Sequence, residues 1–463
     1  MAPPVSATLA PAAKLVWHER DVTLQEVLDA LDKTRKEFAR EEAANADLPH
    51  PRSCVMTLVV VVSSDRDEEL AEQTCGMIAA EHPAQAIIVR ERRGIRTGKI
   101  EAWIRADVQR PEMACARECE IVTLHVRGAA GEHLAALVDP LLVSGVPTYL
   151  WWTGTPLFGK RELEDALRVC DALIVDSAHF AEPYHALRGL ARLLAGAHQK
   201  LGMADLQWSR LRPWREMIAQ FFSPRDRRPF LDGISEVGID YAGEGRGNRI
   251  AASLTMGWLA SSLGWQLERA AAGAGGVVAA FYSAPRGHTV EVHFRSVQKE
   301  RFMSGELAAV RIGGVAGGTT FRLSLMREPE RSRRPQDEPA YRSLHPVNGE
   351  DDAGVEIASR RAEWHRDVLH ETFDTMHHHA TGDPPGESRP RHPSVFLRER
   401  RRSDPTHVLL TLIEIGESET LRHVQTFDTD DEATLVLDLL SNGTHDPVFA
   451  RSLAGAAELT HKL

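Results

Sequence analysis

Residues 146 to 180 read VPTYLWWTGTPLFGKRELEDALRVCDALIVDSAHF. Tyr149, Leu150, Trp151 and Trp152 form a short apolar run broken by Gly154 and Pro156, which reads as a buried strand followed by a turn. Leu163, Ala166, Leu167 and Cys170 then recur at helical spacing, and Ala172 to Val175 is a second apolar run. Strand, turn, helix, strand is the crossover that a parallel sheet needs. Function in such sheets sits where strands end, here at Trp152 to Pro156 and at Asp176 to His179.

Outward from this unit the alternation continues. Val55 to Val62 is a continuous β-branched run, the pattern of a strand buried on both faces. A helix over 65–81, strands over 86–90, 100–108 and 120–126, and a helix over 133–142 follow. The spacing therefore predicts a three-layer α/β domain over 51–203 with a mixed, mostly parallel sheet, 99–127 supplying an antiparallel edge. Before it, residues 1–18 read as a mobile tail and 19–50 as a helix with Asp21 or Thr23 at its cap. Beyond it, six strand patterns between Ile234 and Met326 surround one helix over 248–263. Two more strands and two helices fall between His407 and Glu458. These predict an α+β C-terminal domain with an antiparallel sheet, built from 204–326 and 406–463. Between them, 327–405 holds nine of the 25 prolines and dense mixed charge, the composition of a disordered insertion. Within it Ala358, Ala362, His365, Leu369, Phe373 and Met376 share one helical face.

A length of 463 residues exceeds one compact core. The net charge of -11 argues against a nucleic-acid partner, whose backbone requires clustered positive charge. No apolar stretch approaches the ~20 residues of a membrane helix, and 1–16 has no signal-peptide core, so a cytoplasmic protein is expected. Five cysteines in so long a chain fit a reducing compartment. Cys115 and Cys119 are four apart and do not make a CxxC pair.

Familiar catalytic patterns are missing. Val62 is followed by Ser63-Ser64-Asp65-Arg66-Asp67, with no glycine for a dinucleotide turn and with acids that repel phosphate. The Gly94 to Ile100 stretch is one residue short of a P-loop and reads as a hairpin turn. Asp176, Ser177 and His179 are triad residue types, but they lie too close in sequence to fill triad positions and read as a capped turn. No metal-ligand spacing is present outside the His377-His378-His379 run in the insertion, so neither metal nor cofactor is expected. Gly243, Gly245 and Gly247 precede a helix with Arg249 nearby, a weak candidate for an anion site. The dense feature is aromatic and basic: Trp151, Trp152, Trp208 and Trp214 with Arg210, Arg212 and Arg215. These residue types anchor interfaces, and we expect them to bind a partner.

At these positions the chain resembles the OpcA family, the glucose-6-phosphate dehydrogenase assembly proteins of cyanobacteria and actinobacteria. The resemblance rests on His82-Pro83, Cys119 to Leu124, Val146-Pro147 leading to Trp151-Trp152, Ile174 to Ser177, Trp258 to Ala260 with Leu263 to Trp265, and Leu435 to Leu459. Its most specific part is the segment from Asp205 to Arg215. Ala84 and Gln85 depart from the Ser-Arg that often follows the His-Pro, and the 327–405 insertion is longer than the family's pattern. The resemblance implies a non-enzymatic role: binding glucose-6-phosphate dehydrogenase, promoting its active oligomer and supporting NADPH supply through the oxidative pentose phosphate route. In cyanobacterial members it implies a link to thioredoxin. The alternative from the residues themselves is a sugar-phosphate enzyme or sensor using the strand ends near Asp176 to His179, and a third is a scaffold docking through the 358–376 helix.

Overall fold

In a computed structural model that describes residues 14–45, 54–92, 99–109, 117–127, 134–196, 201–243, 248–273, 277–298, 302–328, 407–418, 420–427 and 431–463, the strands form two eight-stranded sheets. The first contains β1 (Lys14–Val22), β2 (Met56–Val62), β3 (Ala84–Arg92), β4 (Ile100–Gln109), β5 (Arg117–Arg127), β6 (Thr148–Trp152), β7 (Ala172–Val175) and β8 (Gly202–Asp205). Their spatial order is β1, β4, β5, β3, β2, β6, β7, β8. Six of them, from β5 to β8, pair parallel, and β4 and β1 add the antiparallel edge. β1 starts inside the stretch read as a tail, because its backbone pairs with β4, His18 opposite Trp103. Asp21 lies within that strand at positive φ, and Thr23 instead opens α1 (Leu24–Asn45). Thr23 and Glu26 form a reciprocal capping box: the Thr23 N–H donates to Glu26 (2.7 Å) and the Glu26 N–H to Thr23 Oγ1 (3.3 Å).

Successive residues of β2 face opposite layers, as a doubly buried strand requires. Leu58, Val60 and Val62 pack with Ala71, Cys75 and Ile78 of α2 (Asp65–Glu81), whereas Val59 faces a second cluster with Ile87, Leu150 and Leu173. That second layer includes α3 (Leu134–Val138), α4 (Arg161–Arg168) and α5 (Pro183–Gly196). The helix expected over 133–142 is α3 plus a 3-10 turn, Asp139–Leu141, where Pro140 removes a backbone donor.

After β8 come α6 (Leu206–Arg210) and α7 (Arg212–Phe222). The second sheet contains β9 (Ile234–Ala242), β10 (Gln266–Ala272), β11 (Val278–Ser283), β12 (Thr289–Val297), β13 (Leu307–Ala316), β14 (Thr319–Glu328), β15 (His407–Ile415) and β16 (Leu421–Phe427), with α8 (Ile250–Leu263) after β9. Neighbours pair antiparallel except β12 with β9. In β12, Val290, Val292 and Phe294 are buried while Glu291 is exposed, so the sheet has one packed face. α8 is buried on nearly every side. It lies against α10 (Pro447–His461) at a two-glycine contact, where a Cβ on Gly257 would stand 2.1 Å from the Ser452 carbonyl oxygen.

α9 (Glu432–Asn442) follows the second sheet in sequence, yet Leu435, Val436 and Leu440 pack with α2 on the first sheet. The C-terminal stretch expected to complete the second domain therefore also closes the first. The described residues of 1–330 and 405–463 make one compact unit. The insertion expected over 327–405, including the 358–376 face, lies outside the described residues except for Arg327 and Glu328, which end β14. No helix among the described residues is long and apolar enough to cross a membrane.

Candidate functional site

β7 and β8 are parallel neighbours and each is followed or ended by an aspartate. Asp176 caps a 3-10 turn, Ser177–His179, by accepting from the Ala178 N–H (3.2 Å). Asp205 caps α6 by accepting from the Gln207 N–H (3.0 Å). The caps are tied together: Ser177 donates to Asp205 through its N–H (3.0 Å) and its hydroxyl (2.6 Å). Arg210, carried back by α6, grips both oxygens of Asp176 at 2.7 Å, and His179 Nδ1 lies 3.0 Å from Asp176. Glu432, at the start of α9, stands 4.0 Å from His179.

Electrostatics divides the two aspartates. Burial would raise Asp176, but Arg210 and His179 outweigh it and hold the carboxyl well below the usual range. Asp205 has no such cation, and burial pushes it up to about 6 against the hydrogen bonds from Ser177. The hydrogen bond to Asp176 raises His179, and burial raises Glu432. Asp176, His179 and Glu432 bring ligand atoms within 4.8 Å of one another. Both Asp176 oxygens already accept from Arg210, so a cation there would stand against a guanidinium. This cluster is an ion-pair network more than a metal centre.

Beside the network is a cleft of about 480 Å³ whose walls include His179, Gln207, Arg210, Asn248, Ser304 and Glu306. Asn248 joins the two halves of that wall, donating to the Ala178 carbonyl (2.8 Å) and accepting from the Ile250 N–H (2.9 Å) at the start of α8. Glu306 is paired with Arg327 (3.3 Å). The sequence marks the strand end and the Asp205-to-Arg215 segment that holds Gln207, but not Asn248, Ser304, Glu306 or Glu432, which come from separate elements and carry no shared motif.

The aromatic and basic residues expected at an interface are placed mostly inside. Trp151, Trp152, Trp208 and Trp214 are all at most 8 % exposed. An indole already packed has no area left to bury on a partner, so these four do not form a docking surface in this conformation. The Trp208 indole donates to Asp446 (2.8 Å), packs on Phe449 and carries the Arg215 guanidinium over its ring at 3.6 Å. Burial draws Arg215 down to about 10. The Asp205-to-Arg215 segment thus clamps α6 and α7 to the start of α10, and Arg210 is spent on Asp176. Arg212 remains exposed on α7, 2.8 Å from Glu216. Of the weak anion candidates, Gly243 donates to the Val297 carbonyl at the end of β9, Gly245 and Gly247 lie outside the described residues, and Arg249 is buried. Cys115 is also outside them, and of Cys119 only the backbone, in β5, is described.

A parallel sheet joined to an antiparallel one, with its strand-end acids closed into ion pairs at a cleft, defines an α/β plus α+β protein with a polar cleft at the junction. Two family descriptions match it, both of a glucose-6-phosphate dehydrogenase subunit: its N-terminal domain over 76–192 and its C-terminal domain over 201–453. The second alone spans more than half of the chain, and the chain belongs to this OpcA family. Among curated relatives, the "Putative OxPP cycle protein OpcA" of Nostoc punctiforme is 34% identical over 199 residues, covering 42% of this chain and 39% of that protein. Its namesake in Synechococcus elongatus is 32% identical over 214 residues, covering 45% and 44%. The matched stretches therefore span less than half of these relatives. Solved structures with some likeness include myo-inositol dehydrogenase from Lactobacillus casei (TM-score 0.31, 8% identity, 64% of this chain and 78% of that one). Biliverdin reductase from Synechocystis sp. is similar to the same degree (TM-score 0.31, 11% identity, 59% and 81%). Scores this low carry no argument about this chain.

Proposed function

We propose that this protein is a non-catalytic partner of glucose-6-phosphate dehydrogenase that promotes the dehydrogenase's active oligomer, and so supports NADPH supply through the oxidative pentose phosphate route. The observation that carries this reading is the pair of family matches over 76–192 and 201–453, whose descriptions name that dehydrogenase. The strand-end geometry is compatible with it: Asp176 and Arg210 are committed to each other, and Ser177 donates both its N–H and its hydroxyl to Asp205, an arrangement that ties the two strand ends together.

An assembly factor shifts an oligomer equilibrium only by binding the active form more tightly than the inactive one. With the indoles internal, the docking proposal contracts to the outward face of α7, where Arg212, Glu216 and Gln220 are exposed at one-turn spacing. The test titrates this protein into the same organism's dehydrogenase and follows rate at low substrate together with oligomer size. A higher rate with a larger oligomer supports the proposal, and Arg212→Glu should weaken both without changing the melting temperature of this protein. No change in rate or size under reducing and oxidising conditions would sink it.

A further inference from the structure

The two sheets have four edges, and three of them are closed to further pairing. β1 breaks register twice against β4 and carries Glu19, Arg20 and Asp21, the last at positive φ. β8 has four residues and is already bridged by the 444–445 stretch, the Met203 N–H donating to the Thr444 carbonyl (2.9 Å). β10 shifts register between Leu267 and Arg269, and Lys462 Nζ donates to the Leu267 and Glu268 carbonyls (2.8 and 3.2 Å). Bulges, charge and cover are the devices that keep a sheet edge from recruiting another strand.

β16 has none of these devices. Its seven residues, Leu421 to Phe427, pair with β15 in unbroken register and include no proline and no acid. Among the described residues nothing pairs with its outer side. Successive side chains point to opposite faces, yet Leu421, Arg422, His423 and Val424 are all exposed, so neither face is covered there. Leu421 stands at 53 % and Val424 at 42 %. A flat edge with exposed aliphatic residues is a template for one more strand. The edge is also self-complementary. Because antiparallel pairs alternate between two types, a two-fold axis between identical strands must pass at a residue. An axis at Val424 lets all seven residues pair. It puts Val424 opposite its own copy, His423 opposite Gln425 and Arg422 opposite Thr426. No like charges are then opposed, whereas an axis at Arg422 would oppose two guanidiniums. We infer that the protein forms a two-fold homodimer in which β16 pairs antiparallel with β16 of a second copy, joining two eight-stranded sheets edge to edge. A seven-residue seam is small beside the ~1,200 Å² of a stable interface, so a dissociation constant of about 10 µM is expected. The inference is independent of the dehydrogenase as partner.

The experiment is sedimentation velocity of the full chain alone, from about 1 to about 200 µM, with melting temperatures of the dilute protein alongside. Monomer should give way to dimer across the series. Val424→Lys sets two ammonium groups against each other on the axis and should weaken the dimer about tenfold or more. Its melting temperature when dilute should match that of the unmodified chain, because Val424 is exposed. Val424→Cys should cross-link to a dimer under mild oxidation, above the background of the native cysteines. His423→Cys alone should stay at that background, and mixing it with Gln425→Cys should restore the cross-link. A monomer at every concentration, or growth beyond the dimer, would overturn the pairing. A dimer untouched by Val424→Lys would place the contact elsewhere and overturn the edge. Cross-linking by His423→Cys as readily as by Val424→Cys would overturn the register. A monomer whose melting temperature falls with Val424→Lys would give the edge to another segment of the same chain. A monomer in which Val424→Lys instead abolishes activation of the dehydrogenase would give it to that protein, and either result overturns the homodimer.

Discussion

Asp176 and Asp205 end neighbouring strands in the same sheet and titrate in opposite directions, because Arg210 reaches one and not the other. Replacing Arg210 with methionine leaves buried Asp176 with His179 as its remaining partner and without the guanidinium that grips both its oxygens, which costs up to about 3–5 kcal/mol. Denaturant unfolding should show that loss, and the double variant Arg210→Met, Asp176→Leu should regain most of it, since it removes both charges. Asp205 has a raised folded pKa. Between the ordinary carboxylate value of about 4 and about 6, the folded protein keeps a proton that the unfolded chain releases. Stability is therefore expected to fall as pH rises through that window. In Asp205→Asn this slope should shrink, Glu432 being raised by burial in the same sense, and urea midpoints from about pH 4 to about pH 7 check it. His179, also raised, acts in a separate window: its contribution is present below about 6.5 and is lost as pH rises through its folded value. A slope undiminished in the Asp205 variant would assign the acid window to another group.

At the scale of elements, the joint between α6, α7 and α10 organises the second half of the chain. Asp446 accepts from the Val448 and Phe449 N–H groups through one oxygen and from the Trp208 indole through the other. Asp446→Ala loses a helix cap, worth about 1 kcal/mol, and leaves a buried indole donor unpaired, worth about 1–3 kcal/mol more. The expected total of about 2–4 kcal/mol should appear in thermal or denaturant unfolding. A loss no larger than that of an exposed cap would show that the indole finds water. The Trp and Arg density in this segment is visible in the sequence, but its direction is not. Trp208 in α6 and Arg215 in α7 are seven apart across the joint at Leu211, and their stacking puts them on one face. That the face turns inward depends on α10, more than 230 residues later in the chain. Composition alone cannot separate a core tryptophan from an interface tryptophan, because both bury the same surface.

For the molecule as a whole, each sheet holds a buried carboxylate between cations. Asp176 serves the first sheet, and Asp240 in the second meets Arg295 at 2.7 Å and Arg311 at 2.9 Å. Burial would raise Asp240, but the two arginines hold it below its usual value. Lowered carboxylates contribute stability above their unfolded value of about 4, and that stability is lost as pH falls below it. Acid should therefore attack both sheets together. Because 1–330 and 405–463 form one compact unit, far-ultraviolet circular dichroism and tryptophan fluorescence should report a single coincident acid transition. Two separated transitions would show that the sheets unfold independently.

The kind and order of elements could be read from local sequence. The β-branched run at 56–62, the strand-turn-helix-strand unit at 148–175 and the period-2 strands after 234 are local patterns, and local sterics and solvent contrast decide them. The family was legible for the same reason, since its mark is a contiguous segment. What lies inside, and what meets at the cleft, came instead from tertiary packing. β1 is a strand because β4 offers it an edge, α9 packs on α2 more than 350 residues earlier in the chain, and Gln207, Asn248 and Glu306 share a wall although nothing in their spacing relates them. Burial and proximity are properties of the whole packing, where each side chain's environment is supplied by residues remote in the chain.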